Sequence, residues 1–123
     1  MNILLVDDEE INRQTIGDFL SRRGHRVRMA PDGAEALRLM DGDPPDLVIS
    51  DIEMPGMDGI AFLKAIRGRF PDLPVILMTG YATVDTAIAA LRSRAYDYLK
   101  KPIRLQELQA CIQRIGGNRL SGG

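Results

Sequence analysis

The chain has 123 residues, 45% hydrophobic and 27% charged, with a formal net charge of −1. That length suits one domain able to bury roughly two thirds of its unfolded surface without disulfide or metal staples. The near-neutral balance gives no reason to expect direct binding to nucleic acid or to an anionic membrane surface. No apolar run approaches the ~20 residues of a membrane span. Cys111 is the one cysteine and His25 the one histidine, which excludes an internal disulfide and a cysteine-based zinc site. With no signal-peptide pattern at the N-terminus, a reducing, cytoplasmic setting is expected.

Asn2–Val6 is a continuous apolar run that predicts a strand buried on both faces, and it stops at Asp7-Asp8. Residues 10–23 carry Ile11, Ile16, Phe19 and Leu20 at helical spacing, with Gly24 after two arginines as a C-terminal stop. Arg26–Ala30 alternates, as an edge strand with one wet face would. Asp32 and Glu35 read as an Asp-type capping box for a helix over 33–41, with Ala36, Leu37 and Met40 inside. Leu47–Ser50 is a second buried strand and stops at Asp51. Asp58 is placed to cap a helix over 59–69 that buries Ile60, Leu63 and Ile66.

Val75–Met78, a third buried strand, stops at Thr79. Thr83 is placed to cap 84–93, where Val84, Ala87, Ile88 and Leu91 fall at i, i+3, i+4 and i+7 and predict the inner face. Asp97–Lys100 is mixed, suits the other edge and stops at Lys101. Leu105, Leu108, Cys111, Ile112 and Ile115 form the stripe of a last helix, which Gly116 is expected to end. Residues 116–123 then read as a flexible Gly-rich tail or the start of a linker, after a domain over 1–115. Strand and helix alternate five times, which predicts an α/β fold with a parallel sheet covered on both faces.

In such a sheet, chemistry gathers beyond the carboxyl ends of the strands. Asp7, Asp8, Asp51, Thr79 and Lys101 all follow strand ends. The fold therefore brings three carboxylates, a hydroxyl and an ammonium to one crevice. Each alone has an ordinary explanation: an aspartate caps a helix, a threonine closes a turn, a lysine sits in solvent. Together they conflict, because carboxylates ~4–5 Å apart repel by about 3–4 kcal/mol per pair at an effective dielectric near 20. Lys101 offsets part of that, and a divalent cation would offset more. Oxygen-only donors favour magnesium (Mg2+). Asp51 ends the most central predicted strand and is the candidate nucleophile for an aspartyl phosphate. Lys101, the metal and the Thr79 hydroxyl would meet the phosphoryl oxygens, and Gly80 leaves room for them.

LLVDDE at 4–9, ISDIEMPGMDG at 49–59, LMTGYATVDTA at 77–87 and YDYLKKP at 96–102 make the chain resemble bacterial two-component response-regulator receiver domains. TGYATVDTAI and AYDYL look closest to receivers of the nitrogen-regulation type. The resemblance covers residues 1–115 and implies a three-layer αβα sandwich, a flavodoxin-like (βα)5 fold with parallel strand order 2-1-3-4-5. It implies Asp51 as phosphoacceptor. Asp8 would bind magnesium directly, Asp7 mainly through water, and Glu53 through its backbone carbonyl. Lys101 would pair with a phosphoryl oxygen and precede a cis bond to Pro102. Thr79 and Tyr98 would act as a coupled switch pair.

The implied function is a phosphorylation-activated signalling switch that catalyses only its own phosphorylation and dephosphorylation. Its implied partners are a sensor histidine kinase or phosphotransfer protein and an output domain or effector, with homodimerisation on phosphorylation. One position departs from the pattern: receivers usually carry Gly-Ala before the last strand, and here Arg94-Ala95 stands there. If that position needs positive φ, arginine costs about 1 kcal/mol relative to glycine.

Two rivals come from other classes. A magnesium-dependent phosphohydrolase with an aspartyl nucleophile would use Glu53, two residues after Asp51, as its second acid, but no segment is spare to build a cap over a substrate. A flavodoxin-like cofactor binder needs a phosphate cradle after the first strand, where this chain has Asp7-Asp8-Glu9-Glu10.

Overall fold

The computed structural model describes residues 1–122, with side chains through Gly117. Its strands are β1 (Asn2–Val6), β2 (Arg26–Ala30), β3 (Leu47–Asp51), β4 (Val75–Thr79) and β5 (Asp97–Lys100). The helices are α1 (Glu10–Arg22), α2 (Gly33–Met40), α3 (Gly59–Arg69), α4 (Val84–Arg92) and α5 (Leu105–Gly122). The strands form one sheet of order β2-β1-β3-β4-β5, parallel throughout. This is the flavodoxin-like (βα)5 order expected from the sequence.

Alternation along the strands divides the core in two, because successive side chains point to opposite faces. Leu4, Val6, Val48, Val75 and Leu77 face a layer made by Ala36 and Met40 of α2, Phe62, Leu63 and Ile66 of α3, and Ala90 of α4. Ile3, Leu5, Leu47, Ile49, Ile76, Met78 and Leu99 face Ile16 and Leu20 of α1 and Leu108, Cys111, Ile112 and Ile115 of α5. The central strands β1, β3 and β4 are apolar at nearly every position because neither face is wet. Asp32, Asp58 and Thr83 each accept the expected hydrogen bond from the backbone N–H three residues on.

Four details differ from the expectations. Ile11 is 80% exposed, leaving the α1 contact to Ile16 and Leu20. Phe62, which the helical reading of 59–69 passed over, is fully buried. The apolar stripe of α4 points outward, with Val84 75%, Ile88 41% and Leu91 76% exposed, while Ala90 is buried. Thr86 explains this: its hydroxyl shares a 2.6 Å hydrogen bond with the Tyr98 hydroxyl on β5 and completes the Thr83 cap. That contact turns the small-residue face of Thr86 and Ala90 toward the sheet. Lastly, the stop expected at Gly116 does not occur. Neither Gly116 nor Gly117 takes the positive φ that ends a helix, so both stay within α5 at a propensity cost of about 1 kcal/mol each. Gly123 and the side chains of 118–122 lie outside the described residues.

Arg94 does have positive φ, 63°, and is the one non-glycine residue so placed among the described residues. Arg67 of α3 braces it: Nη2 donates to the Arg94 carbonyl at 2.7 Å while Nη1 donates to the Leu73 carbonyl at 2.6 Å. The guanidinium ties the end of α4 to the turn before β4.

Candidate functional site

The strand register brings the polar strand ends level with one another. Val6 pairs with Ser50, Asp51 with Met78, and Thr79 with Lys100. Asp7, one step beyond β1, therefore lies beside Asp51, and Lys101, one step beyond β5, lies level with Gly80. The chain leaves each strand in fixed fashion: Asp7 N–H donates to the Ala30 carbonyl, Ile52 N–H to Met78 and Lys101 N–H to Thr79. The Lys101–Pro102 peptide bond is cis.

Asp7, Asp8 and Asp51 each place a carboxylate oxygen within 4.8 Å of the others. Asp7 and Asp51 are buried and Asp8 is exposed, so the cluster opens on its Asp8 side. Lys101 Nζ donates to Asp51 Oδ2 at 2.5 Å and lies 3.5 Å from Asp7 Oδ2 and 3.9 Å from Glu9. The other oxygens are held locally: Asp51 Oδ1 accepts from Glu53 N–H at 3.1 Å and Asp7 Oδ1 from Glu9 N–H at 2.9 Å. Arg13 of α1 donates to the Asp7 backbone carbonyl at 2.6 Å, which sequence spacing alone did not single out.

One ammonium faces several carboxylates, and burial and charge together shift both titrations. Burial raises the Asp51 carboxyl above its ordinary range; the bond to Lys101 pulls it down and the charge of Asp7 pushes it up again, leaving it raised. For Lys101 burial acts downward, but the bond to Asp51 and the charges of Asp51, Asp7 and Glu9 outweigh it, so the ammonium is held more firmly than usual. The cluster carries more negative charge than its lysine neutralises.

That surplus fits a small hard cation. Asp7 Oδ2 is buried and accepts no hydrogen bond, and the surrounding donors are all oxygens, as magnesium prefers. A raised carboxyl means the native state holds a proton more tightly than the unfolded chain. The native state is therefore favoured below the unfolded carboxylate range and loses that advantage as pH rises through the folded value. At neutral pH the whole penalty is present. Asp51→Asn is accordingly expected to raise Tm in EDTA. The gain should shrink on acidification below the carboxylate range; calorimetry across pH checks both parts.

The hydroxyl side of the crevice holds a contact that the sequence did not reveal. Glu53 turns its carboxylate away from the acidic cluster, accepting from Thr79 Oγ1 at 2.6 Å and from Gly80 N–H at 2.8 Å. Thr79 Oγ1 in turn accepts from Tyr81 N–H at 3.0 Å. Tyr98 is half-buried, packs on the core layer beside α4 and reaches Thr86 rather than Thr79. Thr86 went unmentioned in the sequence reading, although its spacing from Thr83 is that of a capping box.

Known proteins share this sequence and fold. A model of the response regulator receiver domain family matches residues 3–113. The regulatory protein AtoC of Escherichia coli K12 is 46% identical over 112 residues, 91% of this chain and 24% of AtoC. The DNA-binding transcriptional regulator NtrC of the same strain is 40% identical over 112 residues, 91% of this chain and 24% of NtrC. The chain thus spans about a quarter of the length of these curated relatives. A crystal structure of a response regulator receiver domain protein from Clostridium thermocellum superposes with a TM-score of 0.91 at 32% identity, covering 99% of this chain and 98% of that one. Sequence and fold agree along nearly the whole chain, which belongs to the response regulator receiver domain family.

Proposed function

We propose that this receiver is a phosphorylation-controlled switch of a two-component pathway in which Asp51 takes a phosphoryl group from a sensor histidine kinase or a phosphotransfer protein. The observation that carries this is the position of Asp51: buried, bonded to Lys101 at 2.5 Å, and within 4.8 Å of two further carboxylates at the sheet's carboxyl end. In the transfer an Asp51 oxygen bonds to phosphorus as the bond from phosphorus to the donor imidazole breaks. The electron pair leaves with the imidazole nitrogen. Lys101 exchanges part of its contact with Asp51 for a phosphoryl oxygen, and Thr79 offers its hydroxyl to another.

Asp7, Asp8, Asp51 and the backbone carbonyl of Glu53 are the residues proposed to hold magnesium. Bound there, the ion supplies charge neutralisation of the phosphoryl oxygens. A receiver is a regulatory module rather than a conventional enzyme; the self-catalysed transfer is part of the proposal. The added charge, about −1.5 to −2, biases Thr79, Tyr98 and the face made by α4, β5 and α5 toward a second arrangement. Residues 1–115 form the switch in this reading, and its output is a linked domain or a separate effector. NtrC, a DNA-binding transcriptional regulator by name, favours transcription control as the output, and homodimerisation on phosphorylation belongs to the same proposal. The proposed setting of the switch is cytoplasmic. Among the described residues no helix is long and apolar enough to cross a membrane.

The hydrolase reading needs the Glu53 carboxylate free as its second acid, whereas at rest that carboxylate accepts from Thr79 and Gly80. Acetyl phosphate with magnesium separates the two: the switch predicts one stable phosphoryl adduct per chain, the hydrolase repeated turnover of phosphate esters without one. Turnover without an adduct would overturn the proposal.

A further inference from the structure

Two donors beside Asp51 already hold an anion. Glu53 Oε2 accepts from the Thr79 hydroxyl at 2.6 Å and Oε1 from the Gly80 N–H at 2.8 Å. Under the proposed function the Thr79 hydroxyl is a group that a phosphoryl oxygen on Asp51 would use, and the Gly80 N–H is the next donor along the same strand end. The Thr79 hydroxyl has one proton, and it is spent: Oγ1 receives Tyr81 N–H at 3.0 Å and gives its own hydrogen to Glu53. A phosphoryl group and the Glu53 carboxylate would be two anions on one pair of donors. One must leave.

We propose that the Glu53 carboxylate is a built-in competitor for the phosphoryl pocket, holding Thr79 and Gly80 at rest and swinging out before Asp51 can retain a phosphoryl group. The inference rests on Asp51 being the acceptor. Glu53 is a residue that sets occupancy; it does not enter the transfer itself. The way out is open. Glu53 is half-exposed and Gly80 exposed, and a Cβ built at Gly80 would meet only the Glu53 carboxylate, at 3.9 Å. The carboxylate also stands outside the metal cluster, which Asp7, Asp8 and Asp51 form without it. Releasing it therefore leaves the cation's proposed carboxylate donors in place.

The test uses Glu53→Ala and Glu53→Asp. The aspartate keeps the charge but, one methylene shorter, cannot span both donors. In metal-free protein, the Gly80 amide proton of both variants should shift upfield in NMR spectra and exchange faster with solvent. With magnesium present, both should bind beryllofluoride, a phosphoryl mimic, about tenfold more tightly than the unaltered chain, or about 1.4 kcal/mol. Both variants keep the Glu53 backbone carbonyl proposed for the metal, and the gain is read relative to each protein's own magnesium affinity measured without beryllofluoride. Four results would overturn the competitor: an unmoved Gly80 amide, unchanged or weaker beryllofluoride binding, a gain in Glu53→Ala alone, or lost magnesium affinity. A gain in Glu53→Ala alone would mean general charge repulsion rather than occupancy. Lost magnesium affinity would make Glu53 a side-chain ligand. Absence of beryllofluoride binding in the unaltered chain and in both variants alike, with the Gly80 shift still seen in the variants, would instead remove the acceptor role of Asp51 and the competitor with it.

Discussion

Replacing Gly59 with alanine is expected to destabilise the domain by about 3 kcal/mol, the upper part of the usual overpacking range. A Cβ at that position would sit 2.4 Å from the Asp51 carbonyl oxygen and 2.7 Å from the Ile52 Cα. Both are backbone atoms and cannot rotate aside. The contact exists because Gly59 N–H donates to the Ile52 carbonyl at 2.8 Å, clamping the start of α3 onto the chain just after Asp51. Relief would have to move α3 or the Asp51 peptide itself, so magnesium binding should weaken along with stability. Thermal unfolding should show a fall of roughly 10 °C. Gly56, in the same turn, provides the contrast. It has φ +77° with nothing within 4 Å of a built Cβ, so Gly56→Ala carries only the conformational cost of about 1 kcal/mol. Equal effects from the two substitutions would contradict the close approach.

Lys101→Ala is the second large expected effect. The lysine side chain is 17% exposed and faces Asp51 and Asp7, which are buried. Removing it leaves two buried carboxylates facing each other, at a cost of about 3 kcal/mol in EDTA. Saturating magnesium should recover most of that loss, because a divalent ion offsets the same charges. The pH dependence has a definite sign. The folded ammonium titrates above its unfolded value, so its contribution is complete below the unfolded lysine range and is lost only as pH rises through the folded value. Wild-type and variant stabilities should therefore differ fully at neutral pH and converge in strong alkali. A neutral-pH Tm unchanged by the substitution, with and without magnesium, would show that the cluster needs no counter-charge.

What the sequence made legible follows from how strongly each segment was constrained. β1, β3 and β4 read plainly because burial on both faces leaves only apolar residues. The polar residues that stop those runs were readable for the same reason, and the sheet order brings Asp7, Asp8, Asp51 and Lys101 together. Helix α4 was misread because its sequence offers two faces at helical spacing. The apolar stripe of Val84, Ile88 and Leu91 competes with the small face of Thr86 and Ala90, and one hydroxyl contact with Tyr98 decides between them. Periodicity holds no information about that partner. Gly116 and Gly117 misled for a related reason: glycine permits a helix stop without requiring one. The Glu53 contact was invisible because it depends on a side-chain rotamer spanning two strand ends, 26 and 27 residues apart in sequence. Arg94 was the reverse case. Its departure from the family pattern flagged the positive φ that the structure has, while the brace from Arg67 became visible only in three dimensions.

Peptide mapping by mass spectrometry after incubation with acetyl phosphate bears most directly on the central claim that an over-charged acidic crevice lets one carboxylate accept a phosphoryl group. With magnesium the peptide containing Asp51 should gain the mass of a single PO3 group, and EDTA or Asp51→Asn should abolish the gain. Modification of a different residue, or equal labelling in EDTA, would contradict the claim.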